Sequence, residues 1–174
     1  RVETDRDLLR QTAASRRFGE VRLFRYAEQF SETQQQQFSA TAFLLDSDTV
    51  YVAFRGTDNT LTGWREDFNL SFLPYVPSQA AAAAYLRGIL SLGFSNVYVG
   101  GHSKGGNLAV YAAVQMQPED FPRIRAVYNN DGPGFVTDLF AEPQFQQLQE
   151  RVYTFVPQAS VVGMLLEHDE KYQV

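Results

Sequence analysis

The 174-residue chain contains no cysteine, only two histidines, one tryptophan and two methionines. Without cysteine there are no disulfides and no thiolate metal sites, and the redox compartment cannot be read; a cytoplasmic setting is compatible with that composition. Positive charge is not in excess either. Lys and Arg number 15 against 20 Asp and Glu, a net charge of −5, which leaves no basic footprint for nucleic acid or an anionic membrane surface. Arg16, Arg17, Arg22 and Arg25 make the first part locally basic, in the scattered pattern of a solvated face. No apolar stretch approaches the roughly 18 residues of a spanning helix, and no charged-then-apolar leader opens the chain. The chain starts on Arg1 instead of methionine and stops on Tyr172-Gln173-Val174, which reads as the beginning of a strand. The expectation is therefore a fragment, incomplete at both termini, from which a targeting segment has room to be lost.

Apolar residues make up 44% and aromatic residues 14% of the sequence, enough for one well-buried core and too short for a second. One domain spanning 1–174 is expected. Thr4 is placed to cap a first helix ending near Gly19. Alternating or apolar runs at 21–26, 38–45 and 49–54 read as strands, with Asp46-Ser47-Asp48 as a tight turn and the glutamine run 34–37 as a polar hairpin loop. Ser78 is placed to cap a helix through Ala80–Ala84, Tyr85, Leu86 and Ile89, which Gly93 stops. Val97-Tyr98-Val99, 124–128 and 152–156 read as further strands, with helices over 108–116 and around 145–150. Antiparallel hairpins followed by strand–helix alternation indicate an α/β architecture, a mixed sheet flanked by helices.

Gly101-His102-Ser103-Lys104-Gly105 falls at the junction of such a strand and helix. This is the setting of a nucleophile elbow, where serine is driven into a sharp turn and its hydroxyl is exposed above the sheet. The neighbouring glycines are expected because a β-carbon there collides with the adjoining strand or helix. A helix N-terminus beside the hydroxyl favours developing negative charge. Thr57, Ser103 and Asp131 each fall at or just after a strand's carboxyl end, where the ligand crevice of an open α/β sheet lies.

Ser103 needs a base to take its proton. His102 is its neighbour in sequence and is expected to pack beneath the elbow. His168, after the apolar segment 161–166, is the other candidate. Asp131, in Asn129-Asn130-Asp131-Gly132-Pro133-Gly134, is a candidate for the acid that orients the base, and also suits an Asx-type turn. The oxyanion hole needs two donors, and the Lys104 N–H supplies one. Thr57, ending Phe54-Arg55-Gly56-Thr57, offers both an N–H and a hydroxyl. Trp64 and Asp67 follow on a short helix, the tryptophan as packing and the aspartate as a partner for Arg55 or a backbone donor. Lys104 is not a phosphate-binding lysine, since Asn107 stands where a P-loop requires Lys-Ser/Thr.

Phe54-Arg55-Gly56-Thr57 with Trp64 and Asp67, then Gly101-His102-Ser103-Lys104-Gly105-Gly106, resembles the class 3 lipase branch of the α/β hydrolases. Gly-His-Ser-Lys-Gly-Gly-Asn-Leu-Ala, Asn-Asp-Gly-Pro-Gly and Val-Gly-Met-Leu-Leu-Glu-His are similar to a bacterial family of uncharacterised hydrolases related to it. The resemblance covers most of the chain from Phe38 onward. It implies an α/β-hydrolase-like, mostly parallel sheet and hydrolysis of carboxylic esters, lipidic ones included, without metal or organic cofactor. In class 3 lipases the acid follows the next strand in a segment like Asp-Pro-Val-Pro. Here Pro157-Gln158-Ala159-Ser160 puts Ser160 at that place, which raises Asp131 as the substitute. The family's histidine lies further toward the C-terminus than His168, so the resemblance puts the base beyond Val174.

The leading expectation is a serine ester hydrolase working through an acyl-enzyme on Ser103, with aliphatic acyl chains favoured if Leu70, Phe72, Leu73, Tyr75 and Val76 line or cover a pocket. That stretch equally suits core. The alternatives are a hydrolase-fold binding or scaffolding module without turnover, and a thioesterase or peptidase using the same serine.

Overall fold

Residues 2–58, 60–158, 160 and 172–173 are described by the computed structural model. Helix α1 (Val2–Ala14) is followed by the antiparallel strands β1 (Arg22–Ser31), β2 (Gln36–Leu44) and β3 (Thr49–Phe54). Thr4 lies inside α1 and not at its cap, because the helix begins earlier than the capping pattern suggested. Asp46–Asp48 forms the expected turn, in which the Asp48 N–H donates to the Asp46 carboxylate at 2.8 Å. The glutamine run is only partly loop. Gln36 and Gln37 belong to β2 and are buried.

Helices α2 (Leu61–Leu70) and α3 (Pro77–Leu90) come next, then β4 (Asn96–His102) and α4 (Lys104–Val114). Ser78 does not cap α3. Val76 holds that position, Pro77 opens the helix and the Gln79 side chain closes back on the Val76 N–H at 3.0 Å. Gly93 ends the segment at φ 90°, a left-handed conformation that suits glycine. Strand β5 (Ile124–Asn130), helix α5 (Pro143–Leu148), strand β6 (Val152–Phe155) and the two-residue β7 (Tyr172–Gln173) follow among the described residues.

The sheet runs β1-β2-β3-β4-β5-β6-β7, antiparallel up to β3 and parallel from β3 onward. Along β3, Val50, Val52 and Phe54 are buried on one face and alternate with half-covered residues, the period-2 pattern of a strand. Helix α4 is buried over ten of its eleven residues. Its small and aliphatic side chains Leu108, Ala109, Val110, Ala112 and Ala113 lie between α3 and the sheet, so it has no solvent face to make amphipathic. Truncating Leu108 there would cost about 2–5 kcal/mol, enough to make this helix a fixed base for whatever stands at its start. No helix among the described residues is long and apolar enough to cross a membrane.

Candidate active site

The parallel strands β3, β4 and β5 are neighbours, and their carboxyl ends carry Thr57, Ser103 and Asp131 in that order. Register places His102 opposite Asn130, so the chain leaves the two strands at neighbouring points, at Ser103 and at Asp131. The Ser103 N–H donates to the Asn130 carbonyl at 2.9 Å and the Asn130 side chain donates to the Gly101 carbonyl at 3.1 Å. The elbow is thereby tied to the start of the Asp131 loop.

Ser103 has φ 56° and ψ −131° at the junction of β4 and α4. This is a conformation that side-chain-bearing residues seldom adopt, held because the strand and the buried helix on either side leave the chain no gentler route. The surrounding glycines are obligatory on steric grounds. A β-carbon on Gly105 would lie 2.2 Å from the Phe54 carbonyl oxygen, and one on Gly101 would lie 2.4 Å from the Gly105 backbone. Lys104 opens α4, so its N–H has no earlier helical carbonyl to bond.

Thr57 lies in the loop after β3, and Gly56 brings that loop against the elbow, since a β-carbon there would sit 2.7 Å from the His102 carbonyl and 3.5 Å from Ser103 Cβ. The loop is braced internally. The Asp58 carboxylate accepts the Thr60 N–H at 2.8 Å, and the Thr60 hydroxyl caps α2 through the Gly63 N–H at 3.0 Å. Burial raises the Asp58 pKa, but the Thr60 hydrogen bonds, Arg55 and Lys104 outweigh it and leave the carboxyl below its ordinary value. The Thr57 hydroxyl oxygen is buried without a hydrogen bond of good geometry, although it lies near enough to Asp67 to favour that carboxylate's charge.

Asp131 also takes a left-handed conformation, φ 58°. Its N–H donates to the Phe155 carbonyl at 2.8 Å, and its carboxylate accepts a hydrogen bond from the Ser160 hydroxyl. The loop beyond it is held from α4, because the Asn107 side chain donates to the carbonyls of Pro133 and Gly134 at 3.1 and 2.9 Å and accepts from Gln79 at 2.9 Å. His168 lies outside the described residues.

Three residues stand otherwise than their sequence pattern implies. His102 is exposed and not packed beneath the elbow, since it is the last residue of β4, where the buried pattern of the strand ends. Trp64 is 63% exposed, because the inner face of α2 is taken by Thr62, Gly63, Glu66 and Leu70. Asp67 faces Thr57, and among the described residues no ion pair joins it to Arg55. The stretch after α2 divides: Leu70 and Val76 are core, while Phe72, Leu73 and Tyr75 are exposed.

The sequence reading missed Glu66, Gln37 and Asn107. Glu66 and Lys104 form an ion pair at 2.9 Å with both side chains fully buried. A lysine between an elbow serine and a helix that is buried along nearly its whole length was the available signal, since a buried ammonium requires a buried counter-charge.

A family model matches residues 12–174. The chain belongs to the Mbeg1-like family. This is a lipase-like family, and the fold agrees with it. A fungal lipase solved with an inhibitor, and described as a model for interfacial activation in lipases, superposes with a TM-score of 0.57 at 17% sequence identity. The alignment covers 82% of this Mbeg1-like chain and 60% of the lipase chain, so it spans less than two thirds of the lipase. The likeness establishes an α/β-hydrolase-like fold for this family member. No protein of curated function matches its sequence.

Proposed function

We propose that this Mbeg1-like chain is a serine hydrolase that cleaves carboxylic esters, lipidic ones included, through an acyl-enzyme on Ser103. The observation that carries the reading is the backbone of Ser103, φ 56° and ψ −131°, at a strand-to-helix turn beside two neighbouring strand ends. Such strain is kept where a hydroxyl must stand clear of the sheet.

In the reaction, Ser103 Oγ adds to the ester carbonyl carbon while a histidine takes the Oγ proton. The carbonyl oxygen becomes an oxyanion held by the Lys104 N–H and by Thr57. Collapse breaks the bond to the alcohol, which leaves with the proton returned by the imidazolium. Water then adds to the acyl-enzyme by the same route and the carboxylic acid departs. Asp131 orients the histidine and balances its charge. The histidine is His168 or one beyond Val174.

The preference for aliphatic acyl groups is supported by α2. Leu61, Trp64 and Phe68 follow one another at helical spacing on its outer face, and Phe72 joins them through a ring contact with Phe68 at 4.8 Å. All four are more than 60% exposed, an apolar stripe beside the Thr57 loop of the kind that meets lipid or a partner. The test is a series of p-nitrophenyl esters of increasing acyl length, with Ser103→Ala as control. Hydrolysis that rises with chain length and vanishes in the variant is expected; equal rates from acetyl to long acyl groups remove the lipid preference, and a Ser103→Ala rate equal to wild type removes the hydrolase.

A further inference from the structure

We propose that the Lys104–Glu66 pair is a positioning device that sets the spacing between the two halves of the oxyanion hole. This rests on the hydrolase reading above and concerns the same site.

Lys104 belongs to one half and is linked to the other. Its backbone N–H is one donor beside Ser103. Its side chain runs inward and spends all three ammonium protons on buried acceptors: the Gln37 carbonyl at 2.6 Å, the Gln37 side-chain oxygen at 2.9 Å and a Glu66 carboxylate oxygen at 2.9 Å. That Gln37 side-chain oxygen also accepts the Asp58 N–H at 3.3 Å. One acceptor atom thus lies between the Lys104 ammonium and the residue after Thr57.

Glu66 closes the arrangement from α2. The carboxylate oxygen that meets Lys104 also accepts the Gln37 N–H at 2.9 Å, and the other accepts the Ser78 N–H at the start of α3 at 3.0 Å. The first turn of α2 is in turn seated on the donor loop, for a β-carbon on Gly63 would lie 3.1 Å from Thr57 Cγ2 and 3.3 Å from the Gln37 side-chain oxygen. The starts of α4 and α3, strand β2, helix α2 and the Thr57 loop therefore meet at one pair of charges.

Stability alone is a poor reason for such a pair. Desolvating two ions offsets most of their attraction, and apolar replacements of both partners are often neutral or stabilising. Apolar contacts, however, leave a helix free to slide by fractions of an ångström, whereas a fully satisfied polar network has one geometry. An oxyanion hole needs that, because its donors must match an oxygen whose position is fixed by the bond forming at Ser103.

The test uses the full-length protein and three variants. Lys104→Met combined with Glu66→Gln removes both charges and leaves one amide oxygen to accept from one of the two backbone N–H groups, of Gln37 and Ser78, that the carboxylate holds. Glu66→Asp keeps the charge and draws the carboxylate back by one methylene. Glu66→Gln alone leaves the ammonium unpaired. Each is measured for kcat and KM on a soluble short-chain p-nitrophenyl ester, with thermal melting alongside. The double variant is expected to melt cooperatively and to keep its KM while kcat falls about 100-fold. Glu66→Asp is expected to lose kcat by a smaller factor, again at unchanged KM. A folded double variant with wild-type kcat overturns the proposal and leaves the hydrolase reading standing. If the double variant does not fold, Glu66→Asp decides: a kcat loss no larger than its loss of folded protein makes the pair merely structural. Wild-type protein that does not hydrolyse esters, or whose ester hydrolysis persists in Ser103→Ala, removes the hydrolase reading, and the proposal with it.

Discussion

The hydroxyl of Ser160 donates a hydrogen bond to the carboxylate of Asp131. Ser160 stands where the resemblance to class 3 lipases placed an acid, after β6, and Asp131 stands one strand earlier, after β5. The two side chains meet, so a carboxylate at either position would occupy the same neighbourhood.

If Asp131 is the orienting acid, Asp131→Asn keeps its shape and removes its charge. The histidine is then held in the wrong tautomer, and kcat is expected to fall about 1,000-fold or more with little change in KM. Steady-state kinetics on a short-chain ester checks it. An unchanged kcat assigns the acid elsewhere.

Gly105→Ala is expected to destabilise the fold, because the new β-carbon falls 2.2 Å from the Phe54 carbonyl oxygen and 2.9 and 3.1 Å from the backbone carbonyl carbons of Phe54 and Arg55. Overpacking of this kind costs about 1–3 kcal/mol, or more where backbone must move. For a chain of this size that lowers Tm by roughly 2–12 °C. Differential scanning calorimetry reads it, and a Tm equal to wild type contradicts the tight approach of α4 to β3.

The pH dependence of stability has a clear sign at Asp67. Burial pushes its carboxyl above the ordinary value of 3.8, with Glu66 adding to the rise and the Thr57 hydroxyl and Lys104 opposing it. The folded protein therefore holds this proton to a higher pH than the unfolded chain does. Stability falls as pH rises from 3.8 through the raised folded value. Asp67→Asn is expected to raise Tm at neutral pH and to have little effect in acid below 3.8. Melting curves across that range test it; a Tm gain confined to acid reverses the sign.

The outer face of α2 yields a prediction about substrate form. Trp64→Ser with Phe68→Ser removes two exposed aromatic rings, so stability is expected to change by no more than about 0.5 kcal/mol per site. The ratio of the rate on an emulsified long-chain ester to that on a dissolved short-chain ester is expected to fall. Vesicle co-sedimentation of the same variant is expected to weaken, and an unchanged ratio with unchanged sedimentation removes α2 as the lipid-facing surface.

The strand–turn–helix around Ser103, the turn at 46–48 and the order of strands and helices were legible because each is written in local spacing. The sites that were not legible depend on contacts between distant segments. Gln37 looks like loop because it lies in a glutamine run, and only the arrival of Lys104 from 67 positions away makes it a buried acceptor. Ser78 has the chemistry of a cap, yet its N–H is taken by Glu66, twelve residues earlier. Trp64 reads as core by residue type, while its place on α2 is set by the residues that fill the opposite face. The adjacency of Asp131 and Ser160 follows from β5 pairing with β6, which no spacing within either segment records.

Every role proposed at this site depends on Ser103 being a nucleophile. The measurement that meets it most directly is treatment of the full-length protein with a fluorophosphonate, followed by peptide mapping by mass spectrometry. A single adduct on the peptide carrying Ser103, absent from Ser103→Ala, is expected. A protein that takes up no label, or one whose label persists in Ser103→Ala, contradicts it.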